Sequence, residues 1–199
     1  TGFSVRSDAA SVTESVELLR SLARVDVTVP DAVAPRDGFQ MTGVWLYNRS
    51  RSGLLAPEEA FWNATDKKVT DISLPPGGRA AGSAVAYTVS GNSLVRSIYT
   101  FEAPPAVSNT DLSAPCLVVK GTYAGNTENF YRVDFNNAAG TSFLQLFRNH
   151  HYNVQITGIA GRGYPSASEA MAAGFSNLTA MTHTWDNGGM GDVVWDGLN

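Results

Sequence analysis

The sequence predicts an all-β protein built as a sandwich of sheets, and three observations support this fold class. Segments in which apolar and polar residues alternate recur at intervals of roughly ten residues along most of the chain. Clusters of Gly, Pro, Asn and Asp separate them, and the long helical patterns that would connect parallel strands are missing. With 199 residues, of which 43% are hydrophobic and 16% charged, the chain can bury a sizeable core without a metal or a disulfide.

The first elements are a short N-terminal helix and a strand. Ser11 and Glu14 have the spacing of a capping box, and apolar residues recur at helical spacing over residues 12–19. Alternating valines then predict a half-buried strand over residues 23–29, which Pro30 ends.

The rest of the chain follows the two-residue period of β-strands. A helical turn is expected at residues 166–173, after Pro165. Further strands are expected at residues 39–48, 69–74, 84–89, 94–102, 116–123, 130–135, 152–159, 178–184 and 192–195.

A division of the chain is expected between residues 74 and 94. Pro75, Pro76, Gly77 and Gly78 form a loop, and residues 90–92 form a turn. Chain length then favours two β-sandwich domains, residues 1–92 and 93–199, while one continuous sandwich remains an alternative.

The charge balance argues against a nucleic-acid partner and a membrane span. The net charge is −4 and the chain has three lysines, so it lacks the basic surface that tracks phosphates. No run of 18 apolar residues occurs, as a transmembrane helix would need. The first residues do not have the pattern of a signal peptide, so we expect any export signal to have been removed already.

No motif points to catalysis, a cofactor or a metal. His150 and His151 are adjacent at the start of a strand, so their side chains should point to opposite faces, and His183 is the only other histidine. Cys116 lies in an apolar segment and is expected to be a small buried residue. The Asp- and Gly-rich residues 184–192 lack the closing Glu of a calcium loop, which favours a hairpin.

Tryptophans are the candidates for ligand contact. Exposed Trp side chains could form a platform that stacks on sugar rings, although Trp in an alternating strand more often belongs to the core. The chain has Trp45, Trp62, Trp185 and Trp195, and we single out Trp62 and Trp185.

The order of segments in the C-terminal half resembles a known family. The most specific segment runs from Arg148 to Thr157 and reads Arg-Asn-His-His-Tyr-Asn-Val-Gln-Ile-Thr. Supporting matches are residues 97–102, 116–123, 130–135, 163–165 and 169–170, and, more loosely, 19–27, 39–48 and 53–57. This order is similar to that of the fimbrillin family of anaerobic gut and oral bacteria, the subunits of type V pili and their tip and anchor relatives.

The resemblance implies a non-catalytic subunit of a surface pilus. Its fold would be two transthyretin-like (Greek-key) β-sandwich domains. A lipoprotein precursor would be exported through the outer membrane, and subunits would join head to tail by donor-strand exchange. A protease that cuts after Arg or Lys would process the N-terminal region, where Arg6 is the most accessible site, ahead of Arg20 and Arg24. Partners would be other pilus subunits, with host or bacterial surface glycans or proteins as further ligands.

Two departures from the family accompany the resemblance. The lipidated Cys of an immature N-terminus is absent, and the family pattern continues beyond the segments matched by residues 185–186 and 196–197. We therefore expect one or more terminal strands to be missing after Asn199. Stalk, tip and anchor roles stay open. The runner-up function is a carbohydrate-binding tip adhesin or a secreted β-sandwich binding module, and the last alternative is a small secreted hydrolase.

Overall fold

The computed structural model describes residues 19–125, 128–137, 139–174 and 176–186. The expected N-terminal helix, Arg6, Trp195 and the strand expected at residues 192–195 lie outside them. Within them the chain is all-β, as predicted, with strands Ala23–Thr28 (β1), Phe39–Tyr47 (β2), Trp62–Asn63 (β3), Lys68–Val69 (β4), Val85–Thr88 (β5), Ser93–Thr100 (β6), Cys116–Tyr123 (β7), Glu128–Asp134 (β8), His150–Ile159 (β9) and Leu178–Asp186 (β10).

Two four-stranded sheets make up the fold. The first sheet has the order β10-β9-β1-β6, and the second has the order β5-β2-β7-β8. All pairs are antiparallel except β1 and β9, which run parallel. The short strands β3 and β4 form a separate hairpin.

The two sheets enclose one hydrophobic core. Alternate residues of β1 and β9 contribute from the first sheet, among them Val25, Val27 and Val154, which are fully buried. Leu46 and Leu117 contribute in the same way from the second sheet. The two-residue period read from the sequence therefore corresponds to real inward and outward faces.

The segments before and after residue 92 do not form separate sheets. β1 pairs with β6 and β9, and β2 pairs with β7, so each sheet contains strands from both segments. A domain boundary at residue 92, as expected from the sequence, would therefore separate strands that pair within the same sheet. The Pro- and Gly-rich residues that suggested it form surface loops between strands of one sandwich.

One expected strand is mostly absent. Of residues 69–74, only Val69 belongs to a strand, as part of Lys68–Val69. Ser73 is buried, but its backbone N–H donates to the Glu102 carboxylate at 3.2 Å instead of to a neighbouring strand. Alternation alone does not show where a backbone finds its hydrogen-bond partners.

The helical turn was predicted correctly. The helix α1 spans Ala167–Ala172, and the Ser166 side chain caps it by accepting a hydrogen bond from the Glu169 backbone N–H at 3.3 Å. Among the described residues, no helix is both long and apolar enough to span a bilayer.

Candidate functional site

Four side chains from four strands form a line across the outer face of the first sheet. Because Val25 and Val27 point into the core, the neighbouring Arg24 points outward. Arg24 lies opposite Tyr99 on β6 and opposite His151 on β9. His151 in turn lies opposite Trp185 on β10. We call this line the outer row, and in order its members are Tyr99, Arg24, His151 and Trp185.

Direct contacts link the inner members of the outer row. The Arg24 Nη2 lies 3.0 Å from His151 Nε2 and 2.8 Å from Asp26 Oδ2. His151 Nε2 also lies 2.8 Å from Asp26 Oδ2. This nitrogen can donate to Asp26 or accept from Arg24, and the histidine tautomer decides which.

Aromatic side chains stand at the two ends of the outer row. The Trp185 ring stacks on the His151 ring, with centroids 5.2 Å apart and an interplanar angle of 27°. Tyr99 and Trp185 are each 48% exposed, so both present ring surface to solvent. Because neighbouring strands are about 4.8 Å apart, the row extends about 14 Å across the sheet.

A β-bulge shapes the surface beside the outer row. The pairing of β1 with β6 shifts register between Val25 and Val27. Arg96, on the β6 side, adopts a left-handed φ of 54° there, and its backbone N–H donates to Asp26 Oδ1 at 2.9 Å. Bulges often redirect side chains in this way. The Asp26 carboxylate is only 4% exposed, and it therefore contacts Arg24 on β1, the Arg96 N–H on β6 and His151 on β9.

A positively charged cleft adjoins the outer row. Its volume is about 550 Å³, and Arg20, Arg24, Arg96 and Tyr99 contribute to its lining together with Ser21, Leu22 and His150. No Asp or Glu is among these described lining residues. Asp26 offsets one of the three guanidinium charges, which leaves an excess of positive charge in a region of an otherwise acidic protein.

The tryptophans selected from the sequence lie apart. Trp185 is in the outer row, whereas Trp62 is half-buried in the β3–β4 hairpin, opposite Val69. No contact joins these two tryptophans among the described residues. Trp45, on the second sheet, packs edge-on against Phe130 at 5.5 Å. Trp62 and Trp185 therefore belong to different sheets, and ligand stacking at either residue stays a prediction.

His150 and Cys116 occupy structural positions. His150 Nδ1 lies 2.9 Å from the Arg148 carbonyl oxygen, on the opposite side of β9 from the contacts of His151. Within the described ranges, no three His, Cys, Asp or Glu side chains are grouped as a metal site would need. Cys116 is fully buried, as predicted, and this burial raises the pKa of its thiol to about 12.

The polar residues at the start of β9 and just before it brace loops. Arg148 is 1% exposed, and its Nη2 donates to Glu102 Oε2 at 2.7 Å. Its Nη1 donates to the Leu55 carbonyl oxygen at 3.2 Å. Arg148 therefore has a structural role, because it links the start of β9 to Glu102 and to the loop at Leu55.

Sequence reasoning missed most of the outer row. Arg24 was considered only as a processing site, and Tyr99 and Arg96 were not considered. The alternation in β1 does place Arg24 on the polar face. Its neighbours on the adjacent strands, Tyr99 and His151, lie 75 and 127 positions away along the chain. Only the strand pairing brings them together.

Comparisons with known proteins add three similar structures. No family model and no curated protein sequence matches this chain. A proposed cell adhesion protein from Parabacteroides distasonis is 17% identical, with a TM-score of 0.48 over 88% of this chain and 53% of its own. The tip fimbrial protein Mfa3 from Porphyromonas gingivalis is 15% identical, with a TM-score of 0.44 over 84% of this chain and 52% of its own. A proposed cell adhesion protein from Bacteroides uniformis is 15% identical, with a TM-score of 0.36 over 84% of this chain and 51% of its own.

This chain thus spans about half the length of each of these three structures.

Proposed function

We propose that this protein is a non-catalytic, adhesive or structural subunit of a bacterial surface fimbria, and that subunits join by donor-strand exchange. The resemblance of residues 148–157 to the fimbrillin family supports the class of protein. The observation that carries the assembly mode is the open edge of the first sheet at β6.

The outer edge of β6 has the properties of a strand acceptor. β6 is eight residues long and pairs with β1 on one side. On its other side, no strand of the described part of the chain pairs with it. Val95 and Tyr99 are 51% and 48% exposed, and Arg96 is the only charged residue of the strand. Unpaired backbone groups beside exposed apolar side chains are a template for another strand.

The edges of the second sheet are less suitable. Phe130 on β8 exchanges two backbone hydrogen bonds of 2.9 Å with Tyr164, which covers that edge. The Leu144 N–H donates to the Phe135 carbonyl oxygen at 2.7 Å just beyond β8. β5 has only four residues. A long and uncovered edge therefore favours β6 over β5 and β8. The opposite edge of the first sheet, β10, also has no second partner strand among the described residues and is the alternative acceptor.

A contact of this kind is heterologous and produces a filament. If a strand of one subunit pairs with β6 of the next, the two surfaces differ and the contact need not close into a ring. The proposal includes export of a lipoprotein precursor through the outer membrane and processing by an Arg-specific protease. Arg6 is the proposed site, while Arg20 is an exposed alternative immediately before β1.

The test compares an edge variant with a matched surface variant. The full chain, its Val95→Lys variant and its Val107→Lys variant are each incubated with and without a trypsin-like protease. Assembly is then read from ladders on unboiled gels and from filaments in negative-stain microscopy. Val107 is 88% exposed and lies outside the strands, so it controls for the added charge.

We expect ladders from the wild type and the Val107→Lys variant, and a large loss of ladders from the Val95→Lys variant, because a Lys on an edge strand opposes pairing. Wild-type protein that stays monomeric after protease treatment contradicts strand exchange. Equal assembly of all three proteins contradicts the assignment to β6.

A further inference from the structure

We infer that the outer row and the adjoining cleft bind an acidic saccharide, that is, a short oligosaccharide with a carboxylate or sulfate group. This binding would be separate from strand exchange and does not depend on it.

The charges of the cleft select an anion. Arg24 uses Nη2 to contact Asp26 and His151, while its Nη1 donates to no described residue, and its side chain is 31% exposed. The Arg96 side chain is exposed and has no ion pair within the described residues. A guanidinium with free N–H groups binds carboxylate and sulfate oxygens through paired, charge-assisted hydrogen bonds.

The aromatic ends of the row select a ring with an apolar face. Tyr99 and Trp185 are both 48% exposed, so each presents ring surface that a ligand can cover. The Trp185 ring contacts the His151 ring and the His183 ring, with centroids 5.2 Å and 6.1 Å away, and the part of it that stays exposed can contact a ligand. Pyranose rings present C–H groups on one face and hydroxyls around the edge, and Trp and Tyr rings are suited to such amphipathic partners.

The combination of groups favours a saccharide over other anions. A nucleic acid would require many phosphate contacts, whereas three arginines lie in the cleft and the protein is acidic overall. A free inorganic anion would make no use of the two exposed rings. An oligosaccharide that spans the row of about 14 Å can contact Tyr99 and Trp185 at its ends and place one acidic group at Arg24 between them, with Arg96 beside the row on β6.

Binding is tested on the full-length chain with defined probes. Isothermal titration calorimetry or saturation-transfer NMR is used with 3′-sialyllactose, trigalacturonic acid and a chondroitin sulfate disaccharide. Lactose serves as the neutral probe and tetraglutamate as the peptide probe. We expect one or more of the acidic saccharides to bind roughly tenfold more tightly than lactose. The affinity of that saccharide should fall as the salt concentration is raised.

Two variants at exposed positions locate the site. Trp185→Ala removes one stacking surface. Arg96→Gln removes one positive charge, and the new Gln has to adopt the same left-handed backbone conformation as the Arg that it replaces. Each should weaken binding of the acidic probe roughly tenfold. Trp62→Ala and Arg162→Gln are the matched controls on other surfaces and should leave the affinity unchanged.

Several results would overturn the inference. These are the absence of binding to all three acidic saccharides, equal binding of lactose, tighter binding of tetraglutamate, or equal losses in the control variants. Circular dichroism of each variant confirms that it is folded before its affinity is compared.

Discussion

Removing the charge of Glu102 is predicted to destabilise the protein strongly. Glu102 is 3% exposed and Arg148 is 1% exposed, and their 2.7 Å ion pair is shielded from water. In the Glu102→Gln variant the side chain keeps its shape, but the Arg148 guanidinium remains buried without its counter-ion. Losing one partner of a buried pair typically costs about 3–5 kcal/mol, because the remaining charge is desolvated and unpaired.

The carboxylate also ties distant loops together. Glu102 Oε2 accepts a hydrogen bond from the Ser73 N–H at 3.2 Å, and the Glu102 carbonyl accepts one from the Ser50 hydroxyl at 2.9 Å. The first of these contacts weakens when the acceptor becomes an amide oxygen, and the second is retained. We therefore expect the free energy of unfolding to fall by an amount within the range given for the ion pair, and not by more.

Urea unfolding followed by circular dichroism measures the effect. With a slope of about 2 kcal/mol per molar urea, a loss of about 3–5 kcal/mol lowers the midpoint by roughly 1.5–2.5 M. The matched control is Lys68→Gln, which breaks the exposed pair of Lys68 and Asp66 at 3.8 Å and should cost less than about 0.5 kcal/mol. A midpoint for Glu102→Gln within about 0.3 M of the wild type would refute the reasoning about the buried charge.

Three further predictions concern single residues. The Arg36 side chain, together with a backbone N–H, lowers the pKa of Asp37 to about 2 from 3.8. The stability that this carboxylate contributes should be complete above about pH 4 and lost as the pH falls through about 2, so urea titrations at several pH values should show wild type and Asp37→Asn converging in acid. Cys116 should react with Ellman's reagent at pH 8 only after unfolding, because its thiol is buried and its pKa is raised to about 12; rapid reaction of the folded protein would contradict this. Gly163→Ala should lower the free energy of unfolding by about 1–3 kcal/mol, since the new Cβ would overlap the Phe130 carbonyl oxygen, and an unchanged urea midpoint would count against that contact.

Local sequence patterns were sufficient for most elements of the fold. The strand at residues 116–123 was predicted with its observed bounds, and β1, β2 and β9 were placed within two residues at each end. These predictions succeed because a strand with one face in the core alternates in polarity whatever its partners are. The same reasoning placed Cys116 in the core.

Other features depended on partners that local patterns do not contain. Residues 69–74 alternate like a strand, yet the Ser73 N–H is satisfied by a carboxylate from another loop. The loops around residue 92 suggested a domain boundary, but pairing of β1 with β6 and β9 builds one sheet from both sides of it.

The sequence by itself determined that this protein is all-β, that Arg24 alternates with the buried valines of its strand, and that His150 and His151 point to opposite faces of theirs. Only the tertiary structure decided that Arg24 and His151 lie side by side, with Tyr99 and Trp185 at their flanks. The physical reason is register. Alternation is a property of each strand and is written in its own residues, whereas the choice of neighbouring strand and its alignment comes from packing the whole core at once.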